Sequence, residues 1–100
     1  MSSSNIQAVT KAADGHAIAG RTRVAGVYFT NTGTAASFAL KNGSTTAGAA
    51  LMTINTPAAA GATDLILPDM GLLFDSGVFI DVSGAEVTSV TLFFYGGAAA

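Results

Sequence analysis

Apolar and polar residues alternate along most of the chain, and this period of two predicts half-buried β-strands. The clearest example runs from Val24 to Asn31, where we expect the first residue and Tyr28 to share the buried face. The next predicted strand alternates in the same way around Phe38 and Leu40. Since no stretch shows the 3.6-residue period of an amphipathic helix, the pattern predicts an all-β protein.

Further strands divide the rest of the chain into short segments. Glycine, asparagine, aspartate and serine at 31–34, 75–77 and 83–85 are typical of tight turns. Segment 70–74 is predicted to be one helical turn or an irregular crossing between strands. The remaining predicted strands are 6–10, 17–19, 50–55, 63–67, 78–82 and 87–95.

Seven or eight short strands, with turns about 8–12 residues apart, predict a small antiparallel β-sandwich. Jelly-roll and immunoglobulin-like topologies both remain open. The alternation also predicts which side chains face the core. These are Val24, Tyr28, Phe38, Leu40, Met52, Ile54, Ile80, Val90, Leu92 and Phe94.

A chain of 100 residues is expected to form one domain. Residues 20–97 are predicted to form the sandwich, and residues 98–100 a disordered tail. Residues 1–19 leave two alternatives open, an arm that lies on a neighbouring molecule or edge strands of the same domain. In the arm interpretation the interface residues are Ser2, Ser3, Ser4, Asn5, Ile6, Gln7, Ala8, Val9 and Thr10.

The composition is poor in charge. Only 10% of the residues are charged, against about 25% in typical soluble domains, and such a surface favours association with neighbours. Four basic residues and a net charge of −2 give no basis for nucleic-acid binding. No apolar run approaches the ~20 residues of a membrane span, and the start lacks the pattern of a signal peptide. We therefore expect no nucleic acid or membrane partner, and synthesis in the cytoplasm.

The side chains of catalysis and metal binding are scarce. The chain has no cysteine and one histidine, His16, which is interpreted as a solvated residue of a turn. Its aspartates are five or six residues apart in the later half, wider than the spacing in a calcium loop. We interpret them as turn and edge charges, and expect no catalysis, no cofactor and no bound metal. The aspartates concerned are Asp64, Asp69, Asp75 and Asp81.

Arg21 and Arg23 flank Thr22 at strand spacing, so both are predicted to point to one face. Two interpretations stay open for them. The basic pair binds an acidic surface of a partner, or it is a solvated edge that pairs with acidic residues of the chain itself.

The order of these segments is similar to that of a known family. Gly20 to Tyr28, and then Thr32 to Gly43, resemble the opening strands of small virion proteins of tailed bacteriophages. Residues 51–57, 71–82 and 87–96 resemble the remainder, so the resemblance covers about residues 20–97. The matched positions are packing and turn positions, and no site residue is carried over from the family.

The resemblance implies a non-enzymatic structural protein of the virion, most specifically a capsid decoration (cement) protein that binds and stabilises the assembled head. Its expected partners are the phage major capsid protein and further copies of itself. A trimer is favoured because decoration proteins often sit at threefold positions of a shell. The expected location is the capsid surface, after synthesis in the host cytoplasm. The alternative is a head-fibre or tail-fibre module that binds a host receptor or carbohydrate, with Tyr28 and Tyr95 as its candidate aromatic residues.

Overall fold

A computed structural model describes residues 6–68, 70–82 and 84–100, which form ten β-strands. The prediction of an all-β sandwich is confirmed, because the strands make two antiparallel sheets around one core. The strands are β1 Gln7–Lys11, β2 Gly15–Ala19, β3 Thr22–Asn31, β4 Ser37–Asn42, β5 Ala49–Asn55, β6 Gly61–Ile66, β7 Leu72–Phe74, β8 Val78–Val82, β9 Val87–Tyr95 and β10 Ala98–Ala99.

The first sheet has the order β1-β9-β3-β6, with β7 also paired to β3, and the second has the order β10-β2-β8-β4-β5. Within them β1 pairs with β9, β2 with β8, β3 with β6 and β7, and β4 with β5. These pairs form one long antiparallel ribbon. Pairing of β9 with β3 and of β8 with β4 rolls the ribbon into two sheets. The strand order is that of a jelly roll.

The structure has ten strands where seven to eight are predicted, and β6 and β7 account for part of the difference. Both pair with β3, so they are two halves of one interrupted strand. Pro68 lacks a backbone N–H, and Met70 and Gly71 have φ of 67° and 90°, which breaks the extended conformation between the halves. The segment 70–74, predicted as a helical turn or irregular crossing, therefore contains a short strand at Leu72–Phe74.

The tenth strand lies where the sequence predicts a disordered tail, at residues 98–100. Ala98–Ala99 pair instead with the edge of β2, and the Ala100 N–H donates to the Ala17 carbonyl at 3.0 Å. Gly96 and Gly97, with φ of 76° and 72°, turn the chain from the first sheet to the second. Left-handed conformations of this kind cost glycine little.

The core lies between the two sheets, and eight of the ten predicted core side chains are buried there. Met52 is partly buried and packs against the cluster. Phe29 and Phe38 join the sheets in an edge-to-face contact, with ring centroids 5.3 Å apart. The buried predicted side chains are Val24, Phe38, Leu40, Ile54, Ile80, Val90, Leu92 and Phe94.

Tyr28 is the wrong prediction in this set, because its side chain is exposed. A β-bulge between Val24 and Gly26 inserts one residue into β3 relative to β9. A one-residue shift moves every following side chain to the opposite face. Val27 and Phe29 are therefore buried, and Tyr28 points outward.

Candidate functional site

The outer face of the first sheet carries most of the large exposed apolar side chains in the described residues. Ile66 is the most exposed of them at 85%, followed by Met70 at 70%. Tyr28 and Phe93 add exposed aromatic rings to the same face, and Ile6 lies just before its edge strand. Contiguous apolar surface of this kind marks an interaction site more often than a solvated face.

The strand register orders this face into rows that run across the sheet. The central row is Ala8, Phe93, Gly26 and Ile66 on β1, β9, β3 and β6. The neighbouring row on one side contains Tyr95, Arg23 and Leu73, and the row on the other contains Thr10, Thr91, Tyr28 and Asp64. Only Arg23 and Asp64 are charged among these outward positions.

A groove of about 590 Å³ lies on the face around Gly26. The β3 bulge and the lack of a side chain at Gly26 open it. A Cβ atom there would lie 3.3 Å from both the Leu65 carbonyl oxygen and Cδ2 of Phe93. The groove is lined by Ile6, Ala25, Gly26, Val27, Asp64, Leu65, Ile66, Leu67, Met70, Phe93 and Tyr95.

One end of the groove is shaped by the break between β6 and β7. Gly71 approaches β3 so closely that a Cβ atom at this position would lie 2.2 Å from the Val24 carbonyl oxygen. The Leu67 N–H donates to the Ala25 carbonyl at 2.9 Å, and the Gly71 N–H to the Pro68 carbonyl at 2.9 Å. This loop carries the exposed Met70 side chain into the lining of the groove.

Hydroxyl groups continue the face beyond the groove. The Thr10 and Thr91 Oγ1 atoms lie 2.7 Å apart across β1 and β9. Oγ1 of Thr30 lies 2.8 Å from Oγ of Ser89 and contacts Oγ1 of Thr88. These hydroxyls hydrogen-bond to one another, so this half of the face is polar, with Asp64 as the charged side chain of its first row.

The two arginines of the predicted basic pair lie at one end of the face. They flank the buried Thr22, whose Oγ1 donates to the Tyr95 carbonyl at 3.0 Å. Arg21 and Arg23 line a shallow depression of about 260 Å³ together with Leu73 and Tyr95. Neither arginine forms an ion pair with an acidic residue in the described part of the chain.

The residues of the predicted arm fall into three groups. Ser2, Ser3, Ser4 and Asn5 lie outside the described residues. Ile6 lines the groove. Gln7, Ala8, Val9 and Thr10 belong to β1, which pairs with β9 of the same chain from Gln7 to Lys11, and Val9 packs against the core. This placement corresponds to the edge-strand alternative.

The outer face of the second sheet differs in its charges. Lys41 Nζ lies 2.8 Å from Asp81 Oδ2 and also donates to the Thr46 carbonyl at 2.9 Å. His16, predicted in a turn, lies in β2 opposite Phe79. Its Nε2 atom is buried and has no hydrogen-bond partner in the described residues.

The described residues contain no cluster of three or more histidine and acidic side chains that would hold a metal ion. Asp14 instead stabilises a turn, with Oδ1 accepting from the Val82 N–H at 2.8 Å. Across residues 6–68, 70–82 and 84–100, no helix has the length and hydropathy needed to cross a membrane.

The groove residues Gly26, Ile66, Met70 and Phe93 are not among the site residues predicted from the sequence. Two signals were present. Leu65-Ile66-Leu67 and Phe93-Phe94 are consecutive apolar residues in strands, so one member of each run must face outward. A glycine inside a strand, as at Gly26, often marks a bulge or a close approach.

Comparison with known proteins gives no match for this chain, whether with family profiles, with curated proteins or with solved structures.

Proposed function

We propose that this protein is a non-enzymatic assembly protein that works by binding other protein surfaces. The outer face of the first sheet carries this proposal, because it combines exposed apolar side chains with a groove, and the three rows around that groove contain only two charges, Arg23 and Asp64. An apolar centre with a polar rim is the usual anatomy of a protein interface. Here the hydroxyl rows and Arg23 and Asp64 form the rim.

In its finer form, the proposal places the protein on the virion of a tailed bacteriophage as a capsid decoration protein. The resemblance of residues 20–97 to small virion proteins supports this. The jelly-roll strand order is also found in viral capsid domains. The second argument is a fold-level analogy, since jelly rolls serve several unrelated functions.

A decoration protein stabilises a shell by repetition. Many identical copies bind the major capsid protein, and modest contacts accumulate around the closed particle. A rigid sandwich with few charges suits such a role, because it can lie on other proteins without burying many unpaired charges. The proposed location is the capsid surface, after synthesis in the host cytoplasm.

Cryo-electron microscopy of intact particles from the virus that encodes this chain tests the finer proposal. We expect density for the sandwich at a repeated position on the head, in fixed ratio to the major capsid protein. Quantitative mass spectrometry of the same particles gives the copy number independently. Density confined to fibres or the tail would contradict the decoration role, as would absence of the chain from purified particles.

One observation favours the alternative of a glycan- or receptor-binding module. Tyr28, Phe93 and Tyr95 share one outer face, and aromatic rings on a flat face can stack on sugar rings. The aliphatic side chains of Ile66 and Met70 in the same lining favour protein over carbohydrate. Binding of a glycan array by the wild type, lost in Tyr28→Ala but retained in the control Phe79→Ala on the second sheet, would support the alternative.

A further inference from the structure

We infer that the outer face of the first sheet is a two-fold interface, and that a second copy of this chain covers it. The inference rests on the part of the proposed function that makes this face a protein-binding surface, and not on the virion location. It specifies the partner, the relative orientation of the two copies and the side chains that meet.

The register of the sheet supplies the geometry. Arg23 lies one outward position to one side of the central row, and Tyr28 and Asp64 lie one outward position to the other side. A two-fold axis along the central row reverses the order of rows and keeps each strand above its counterpart. Gly26 then faces Gly26 of the second copy, and Ile66 faces Ile66 of the second copy.

Charge complementarity follows from this placement. Arg23 of each copy comes to lie over the Tyr28 ring of the other copy, one strand away from its Asp64 carboxylate. The guanidinium can stack on the ring and pair with the carboxylate. The two-fold axis repeats this contact, so Arg23 and Asp64 of both copies gain a partner. An interface of this symmetry uses the same patch on both chains.

The apolar row between the charges fits the same arrangement. Ile66 projects from the sheet, with 85% of its surface exposed. It flanks the groove around Gly26, so two copies place a projecting side chain beside each hollow. The apolar contacts then lie along the central row, with Ile66 at its β6 end, and the charged pairs lie on either side of that row.

The size of the face suits a weak, reversible pair. Four strands about 4.8 Å apart, each contributing about seven residues at 3.4 Å, give a footprint of roughly 19 by 24 Å. Two such footprints bury on the order of 1,000 Å² in total, at the threshold of a specific interface. We therefore expect a dimer that dissociates on dilution.

The first test is the mass of the purified full-length protein by sedimentation equilibrium over a range of concentrations. We expect twice the chain mass of 9.9 kDa, with dissociation on dilution. Ile66→Asp should give a monomer, because the two introduced carboxylates would face each other across the two-fold axis. Leu51→Asp is the matched control, since Leu51 is an exposed apolar residue on β5 of the other sheet and its variant should remain dimeric.

The second test reverses the charges. Arg23→Glu and Asp64→Arg should each be monomeric, since each places like charges opposite one another. The double variant should recover the dimer, and mixing the two single variants should give a heterodimer. This pattern depends on Arg23 meeting Asp64 between chains, and a loss of folding does not produce it. Thermal melts that match wild type exclude unfolding as the cause.

Several results would overturn the inference. A wild-type monomer at all concentrations would do so, as would a mass of three chains, because an interface of this symmetry closes at two copies. A dimer that survives Ile66→Asp, or a charge swap that fails to recover the dimer, would also contradict it. If the purified dimer forms as described but particles lack the protein, the virion proposal fails and the interface stands.

Discussion

The two sheets of the sandwich share one core, but their outer faces differ in how the charged side chains are paired. In the second sheet, Lys41 and Asp81 lie 2.8 Å apart and satisfy each other within the chain. In the first sheet, Arg23 and Asp64 stand on either side of an apolar row, and neither has an ion-pair partner in the described residues. The charges of the second sheet thus pair within the chain and those of the first do not, which supports the proposal that a partner covers the first sheet.

Both sheets contain backbone irregularities, and those of the first sheet shape the groove. The first sheet contains the β3 bulge and the break between β6 and β7, and these two features face each other across Val24 and Gly71. Together they open the groove around Gly26. The second sheet also has irregular register, in β2 and beside Leu40. Backbone irregularity often accompanies function in sheets.

The largest expected effect tests the β-bulge in β3, which turns Tyr28 outward and Phe29 into the core. Phe29→Ala should lower the free energy of unfolding by about 3–5 kcal/mol, because the ring is buried against Phe38. Tyr28→Ala, one residue earlier, should cost less than about 1 kcal/mol, since its ring is exposed. Chemical denaturation of both variants measures the difference. Equal costs would show that β3 has no bulge at this point.

The next prediction concerns the break between β6 and β7. Gly71→Ala should destabilise the protein by about 2–4 kcal/mol, because Gly71 has φ of 90° and its Cβ would meet the Val24 carbonyl oxygen. Gly20→Ala is the control for backbone strain alone, since Gly20 has φ of 84° but open space around it. If the Gly71 variant is no less stable than the Gly20 variant, the close approach of Gly71 to the Val24 carbonyl adds no cost, which would contradict this prediction.

The sequence predicts those features of the structure that depend on one segment alone, and it fails for those that depend on how segments pair. Regular alternation in β4, β8 and β9 predicts their buried faces, because buried residues recur at every second position along most of each strand. Tyr28 is misassigned because a bulge is a property of two paired strands. The strand at Leu72–Phe74 is missed because three residues carry too short a pattern.

The groove is harder still to predict. It requires Gly26, Ile66, Phe93 and Met70, which lie on three strands and a loop and are brought together by register. Runs such as Leu65-Ile66-Leu67 indicate that some apolar side chain must be exposed, but they do not identify its neighbours. The unpaired state of Arg23 and Asp64 is equally a property of the assembled sheet.

A smaller effect is expected at Asn31, which anchors the β5–β6 loop to the first sheet. Its Nδ2 donates to the carbonyls of Ala59 at 2.9 Å and Pro57 at 3.3 Å, and to its neighbour Thr32 at 2.8 Å. Asn31→Leu should cost about 1–3 kcal/mol, because these bonds are lost at a buried position. Hydrogen exchange should rise in the loop and little elsewhere. The same change at the exposed Asn55 is the control and should have a much smaller effect on stability.

The smallest effect tests the charge comparison itself. A double-mutant cycle on Lys41→Ala and Asp81→Ala should give a coupling energy of about 0.2–1 kcal/mol, because the pair is only partly shielded from solvent. The coupling should weaken as salt is added. A parallel cycle on Arg23→Ala and Asp64→Ala, run in the monomeric Ile66→Asp background, should give none, since these charges do not meet within one chain. Coupling in the second cycle would mean that Arg23 and Asp64 already interact within the monomer, and the contrast between the two faces would be lost.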